Sequence, residues 1–352
     1  MKKLITILLI IPVLALIVVI ASCTKEGPTG PAGEDGINGT DGTATCNQCH
    51  NSGESFLAKV IQWEASVHAT GGTFERNGTS CAPCHTSMGF REVLETGETT
   101  TAATINNPTP ISCYTCHKVH ETYTADDWEL RTVEPVAFLE GGAMFDYASS
   151  NLCANCHQSR VASPYPELAA GTIEFPEGTS YRWGPHHGPQ SNLFAGVDKS
   201  GAYELGSGYA NSWHTNNFEN ACKSCHMADA YGDQAGGHTF AMGYEYHGHT
   251  VLNTAGCLVS GCHTDEDNLL NTVEEKKMEI EDLMADLKDL LETNGIMDTV
   301  DHPGYLVVPG TYSNELAGAF YNYKFIEEDR SYGLHNYKYT KTLLENSIAA
   351  IQ

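Results

Sequence analysis

The sequence predicts a mainly α-helical fold with extensive ordered loop and a helical C-terminal segment. Three observations predict it. A short motif of two cysteines followed by a histidine recurs six times between Cys46 and His263. The stretches between the motifs are rich in Gly, Asn, Thr and Pro and hold no long periodic segment, so they read as loops with a short helix at each motif. After His263 apolar residues return at helical spacing.

The motifs carry the chemistry. Five have the form CxxCH: Cys46, Cys49 and His50; Cys81, Cys84 and His85; Cys113, Cys116 and His117; Cys153, Cys156 and His157; Cys222, Cys225 and His226. A sixth, Cys257, Cys262 and His263, has four residues between its cysteines. Two thiols at this spacing add to the two vinyl groups of one haem, and the adjoining histidine becomes the proximal ligand of its iron. The expected cofactors are six haem c groups. Zinc sites also use paired CxxC motifs but require no histidine after each second cysteine. Disulfides suit an exported chain but leave that histidine unexplained too. The cysteine count closes on the haem reading: twelve attachment thiols and Cys23 make up the 13 in the chain.

Cys23 belongs to a different signal. Met1-Lys2-Lys3 precedes an apolar run over residues 4–21, which reads as a secretory signal peptide. Ile20-Ala21-Ser22-Cys23 resembles the bacterial lipobox, which implies cleavage before Cys23 and lipidation of its sulfur. An uncleaved signal anchor is the alternative, because a run of this length is borderline for spanning a bilayer. Thr24 rather than Asp follows the cysteine, and by the same resemblance an outer-membrane destination is favoured, on the periplasmic or cell-surface face. From Gly27 to Gly42 glycine falls at every third position, the spacing of collagen. A flexible spacer is preferred to a triple helix for so short a stretch. The expected organisation is a signal peptide over 1–22, the spacer over 23–44, a hexahaem domain over 45–264 and C-terminal helices over 265–352.

Charge excludes one class of partner. The formal net charge is −25, and such a surface repels nucleic-acid phosphates. It reads instead as a soluble exterior.

Six of the 16 histidines are proximal ligands by position. Ten remain: His68, His120, His186, His187, His214, His238, His247, His249, His302 and His335. The surplus suggests bis-histidine ligation throughout. Such ligation keeps potentials low, because methionine as the second ligand raises them. Met88, Met227 and Met242 lie near the motifs and read mainly as soft packing around porphyrin.

The local contexts are similar to those of known multihaem c-type cytochromes. Trp63-Glu64-Ala65-Ser66-Val67-His68 resembles the segment that precedes a motif in many of them. His117-Lys118-Val119-His120 extends a motif by HxxH, and Trp183-Gly184-Pro185-His186-His187-Gly188-Pro189-Gln190 resembles their HxxPQ ligand loop. Asn211-Ser212-Trp213-His214, Gly236-Gly237-His238-Thr239-Phe240 and the segment from Asp329 to Asn336 fit the same pattern. The resemblance covers residues from Cys46 to the C-terminus. It points to the broad group of pentahaem nitrite reductases, ammonia-oxidiser tetrahaem cytochromes and extracellular multihaem cytochromes. It implies a multihaem cytochrome c fold packed around covalent haems, with His68, His120, His186, His214, His238 and His335 as distal ligands. His186 and His187 are hard to separate. His247 and His249 are reserves, and His302 reads as an ordinary surface residue.

Three helices are expected after the last motif. Asp265-Glu266-Asp267 suits a helix N-terminus, Leu269, Val273, Ile280, Leu283, Leu287 and Leu290 follow at helical spacing, and Gly295 is a stop. A second, amphipathic stretch runs from Leu316 to Ile326 and a third from about Tyr339 to Ile351. In the cytochromes they resemble, such helices mediate dimer contacts, which would make them a route to an oligomer. Alternatively they pack back on the haem domain, as expected here for the later two; for the long one both readings stay open.

The expected function is electron transport in respiratory or extracellular electron transfer, with other redox proteins or extracellular acceptors as partners and the membrane reached through the lipid anchor. Saturated irons leave no vacant position for substrate, so an electron carrier is expected more than an enzyme. Two alternatives are kept. One is a reductase of nitrite, hydroxylamine or a sulfur oxyanion, against which stands the lack of any CxxCK motif. The other is a subunit of a cytochrome filament, against which stands the lipid anchor.

Overall fold

The computed structural model describes residues 54–180, 182–298 and 307–352. All of them lie in the second of two compact units, Cys49–Gln352. Cys23, the glycine-rich stretch, Cys46, Cys49, His50 and His302 lie outside the described residues.

The described chain is mainly helical, with loops between the helices. The motif-bearing part holds α1 (Glu54–Ala65), α2 (Val67–Thr70), α3 (Ala82–His85), α4 (Ser87–Thr96), α5 (Cys113–Cys116), α6 (Asn151–Ala154), α7 (Gln190–Ala195), α8 (Trp213–Asn217) and α9 (Ala221–His226). The C-terminal part holds α10 (Glu266–Thr293), α11 (Asn314–Asp329) and α12 (Tyr337–Ile351). Three two-stranded antiparallel sheets, which the sequence did not suggest, fasten the loops. They pair β1 (Val136–Ala137) with β2 (Met144–Phe145), β3 (Thr172–Phe175) with β6 (Gly310–Ser313), and β4 (Gly243–Tyr246) with β5 (His249–Leu252).

Local signals set the C-terminal helices. Asp265 caps α10 by accepting from the Asn268 amide at 3.0 Å, and Glu266 and Asp267 place negative charge at the positive end of its dipole. Its buried stripe, Ile280, Met284, Leu287 and Leu291, advances by four, three and four residues, one face of a 3.6-residue period. The helix ends at Thr293, just before Gly295 at φ +74°. Ser313 caps α11 through the Leu316 amide at 3.1 Å. This helix is buried on nearly every face rather than along one stripe, so it is a central helix and not the amphipathic one its sequence suggested.

The apolar core gathers around α11. α10 and α12 flank it, and residues from before the last motif join: Phe175 from β3, Trp183, Tyr203 and Leu205. Trp183 stacks on Phe320, with centroids 5.6 Å apart and planes 11° from parallel, and meets Phe175 edge-on at 4.8 Å. Its indole N–H donates to Pro164 O at 2.7 Å. The buried Asn322 has its amide fully satisfied, accepting from Tyr203 N at 2.8 Å and donating to Tyr203 O and Ser347 Oγ at 2.7 and 2.9 Å. The C-terminal helices therefore pack back on the rest of the unit.

The motif part differs. Between residues 54 and 135 the buried hydrophobic side chains are Ala82, Phe90 and Ile105. So little apolar burial offsets the conformational entropy of ordering these loops only if another apolar body is packed among them.

Gly318 sits where α11 crosses Tyr203, and a Cβ there would stand 2.1 Å from the ring. Gly318→Ala gains helix propensity of about 1 kcal/mol. It also drives a methyl into a ring that is 2% exposed, which costs about 1–3 kcal/mol. The expected outcome is a lower midpoint in guanidinium unfolding followed by tyrosine fluorescence.

Candidate metal centres

Three of the described CxxCH motifs close the same way. The amide of the motif histidine donates to the carbonyl of the first cysteine: His85 to Cys81 at 3.1 Å, His117 to Cys113 at 2.8 Å and His157 to Cys153 at 2.9 Å. One helical turn places residues i, i+3 and i+4 on a common face, so both sulfurs and the imidazole address one body. The wider motif closes in the same manner, with His263 N donating to Cys257 O at 3.2 Å. Its two extra residues are accommodated with Gly261 at φ +85°.

The ten described cysteines form no disulfide. Burial pushes the Cys116 thiol up to about 12 and the Cys225 thiol to about 11. Among the described residues no three His, Cys, Asp or Glu side chains converge as a metal-ion site. A tetrahedral zinc centre needs such convergence.

Histidines meet in twos instead. His85 faces His186 with centroids 6.2 Å apart, and His117 faces His238 at 6.4 Å. His157 faces His68 at 6.1 Å, while His226 faces His335 and His263 faces His214, both at 6.2 Å. Two imidazoles bound through nitrogen on opposite sides of one iron place their centroids about 6 Å apart, given metal–nitrogen distances of about 2 Å. The five pairs match that requirement, and each joins one motif histidine to one histidine from outside the motifs.

Each partner is delivered by its own device. His68 rides on α2, capped by Ser66, with its ring 4.8 Å from Phe240. His186 stands in a loop pinned by Trp183, where Gly184 at φ +141° lies against Lys324 and Gly188 lies against the backbone of Cys156 and Gln158. His187 stays beside it, with ring centroids 4.8 Å apart, but its Nδ1 is engaged 2.6 Å from Glu328 Oε2. His214 stacks on Phe218 at 5.0 Å. The His238 amide donates to Gln62 Oε1 at 3.0 Å, which ties its loop to α1. The His335 amide donates to Ser331 Oγ at 3.2 Å.

Several Nδ1 atoms face oxygens that only accept: His117 to Trp128 O at 2.6 Å, His226 to Phe240 O at 2.8 Å, His157 to Gln190 Oε1 at 3.2 Å and His335 to Asp329 Oδ1 at 2.5 Å. These acceptors require the proton on Nδ1, which leaves the Nε2 lone pair for a metal. Gln190 in turn donates to the carbonyls of Glu328 and Asp329 at 3.3 and 3.5 Å. Asp329, Gln190, Gln62 and the Trp128 and Phe240 carbonyls carry no sequence signal of this role, although Asp329 and Gln190 lie within the ligand-bearing segments.

Electrostatics separates the pairs. Burial, together with the neighbouring His157, lowers His68 to about 4. Burial, followed by the nearby Arg160, lowers His186 to about 4. His85, His117, His157, His214, His226 and His238 are also lowered, with burial the largest cause in each. In all eight the lowering favours the neutral imidazole, the form that binds iron. His335 goes the other way: burial pulls it down, but the Asp329 carboxylate more than offsets this and raises it.

His120 is held at φ +61° by a loop in which the buried Asp127 carboxylate accepts from the amides of His120, Thr122 and Tyr123 at 2.8, 2.7 and 3.1 Å. Its Nδ1 lies 3.1 Å from Tyr114 Oη. His247 and His249 sit at the turn between β4 and β5.

The motifs also touch one another. Cys84 Sγ lies 3.8 Å from Asn155 O, and Cys156 Sγ lies 3.7 Å from Pro83 O. The second and fourth motifs are therefore reciprocally in contact.

No family model matches the chain, and no curated protein matches it. Among solved structures, the crystal structure of outer cell wall cytochrome OcwA is similar, with a TM-score of 0.50 and 20% sequence identity. The match covers 84% of this chain and 50% of that one, so the chain spans about half the length of that cytochrome. At this identity the likeness shows the fold: a mainly helical, loop-rich chain similar in fold to that cytochrome.

Proposed function

We propose that the chain is an electron-transfer protein holding six haem c groups. The observation that carries this reading is the set of five imidazole pairs, 6.1–6.4 Å between centroids, each built on a motif histidine. Haem bound in this way supplies a one-electron Fe(III)/Fe(II) couple.

Cys81 and Cys84, Cys113 and Cys116, Cys153 and Cys156, Cys222 and Cys225, and Cys257 and Cys262 would hold five haems, and Cys46 and Cys49 the sixth. His85, His117, His157, His226 and His263 bind from the proximal side. His186, His238, His68, His335 and His214, in the same order, bind from the distal side. His120, the remaining one of the six distal candidates, is assigned to the iron of His50. Saturation by histidine keeps the potentials low and leaves no position for substrate, which favours a carrier over a reductase. The contact between the second and fourth motifs supports electron passage between them.

The expected location is outside the cytoplasm, with Cys23 lipidated and the outer membrane favoured. The name of the structural neighbour, an outer cell wall cytochrome, agrees with export. Among the described residues no helix is long and apolar enough to cross a membrane. Donors and acceptors would be other redox proteins or extracellular acceptors.

Two measurements test the reading. Haem quantitation with electron paramagnetic resonance of the purified protein is expected to give six haems, all low-spin. Fewer than six haems, or a high-spin iron in the unmodified protein, would sink the saturated carrier, and the high-spin case would support a reductase. In the second, His186→Ala and His187→Ala are compared. Only the first is expected to turn one of six irons high-spin, and the same change from the second would reverse the assignment.

A further inference from the structure

In the pair formed by His226 and His335 a carboxylate stands behind one ring. His226 itself and His117 back onto neutral backbone carbonyls, and His157 backs onto a neutral side-chain amide. Arg76 and Arg160 lie close enough to His85 and His186 to depress both. Lys59 does the same to His117 and His238. Behind His335 stands the carboxylate of Asp329, 2.5 Å from Nδ1, with a fully buried side chain. Its other oxygen accepts from the Ser331 amide at 3.1 Å and from the Ser331 hydroxyl. Asp329 and Ser331 flank the left-handed turn at Arg330, φ +62°, that follows α11. Carboxylate, turn and histidine thus form one local unit.

We infer that Asp329 tunes the iron between His226 and His335 to the lowest potential of the described five, and so makes it the last to be reduced. This rests on the haem reading above. The cause is charge. A hydrogen bond from Nδ1–H to a buried carboxylate gives the imidazole anionic character and makes Nε2 a stronger donor. A stronger donor stabilises Fe(III) relative to Fe(II). When one electron enters and Fe(III) becomes Fe(II), the proton stays on Nδ1, shared with Asp329, and no bond to iron is broken. Arginine or lysine near two other pairs acts in the opposite sense, favouring the reduced iron by one positive charge.

The protein with all its haems is titrated in a spectroelectrochemical cell, with samples frozen for electron paramagnetic resonance at each potential. Asp329→Asn keeps the shape and a hydrogen-bond acceptor but removes the charge. It is expected to keep six low-spin haems and to make one of them about tenfold easier to reduce, a positive shift of about 59 mV for one electron. Asp329→Glu is expected to restore part of that shift. Unchanged potentials in Asp329→Asn with all haems low-spin would overturn the inference. So would a high-spin iron in that variant, which would show that Asp329 only holds His335 in place. Loss of the haem count in the unmodified protein would instead defeat the underlying reading.

Discussion

A fixed gap between two imidazole rings governs this structure. In five places a motif histidine and a partner histidine stand 6.1–6.4 Å apart, centroid to centroid, so the rings are held off from each other rather than packed together. The chain between partners runs from the 49 residues separating His214 and His263 to the 121 separating His117 and His238. Closing loops of such length costs entropy, and bare imidazoles would not repay it. Under the proposed ligation an iron repays it at each crossing, and the attached porphyrins supply the apolar area that residues 54–135 lack.

The C-terminal helices act as the frame that holds the gap open. α11 sits at the centre of the apolar core, and its last turn reaches three of the pairs. Glu328 engages Nδ1 of His187 beside His186, Asp329 backs His335, and Gln190 ties their carbonyls to His157. Trp183 anchors the loop of His186 against Phe320 on the same helix. A rigid helix end with a few polar groups therefore orients ligands whose own segments are short of regular structure.

What could be read from the sequence followed the range of the interaction. The motifs and their local turns depend on residues within four positions of each other, and α10 carries a clean stripe with a capping Asp265, so both were legible. α11 was harder: Gly318, Asn322 and Lys324 break the apolar pattern, yet Asn322 is buried because Tyr203 and Ser347 satisfy it, which no window of sequence shows. The small sheets were invisible for the same reason; β3 meets β6 across more than a hundred residues. Counting histidines gave a surplus, but only position could match each partner to its motif and part His186 from His187. The backing groups were hidden most deeply, because a carbonyl such as that of Phe240 has no side-chain signature at all.

The pairings also run in two directions along the chain. His186, His238 and His335 come after the motif histidines they face, whereas His68 and His214 come before theirs. A polypeptide made from its N-terminus meets these two situations differently. The fourth and sixth motifs emerge with their distal partner already in place. The second, third and fifth must wait for residues still to come, the fifth for a histidine 109 positions later. Under the proposed ligation, each of these irons, and that of His50, would in turn pass through a stage open to other ligands, and the last turn before α12 would be the latch that ends the last of them.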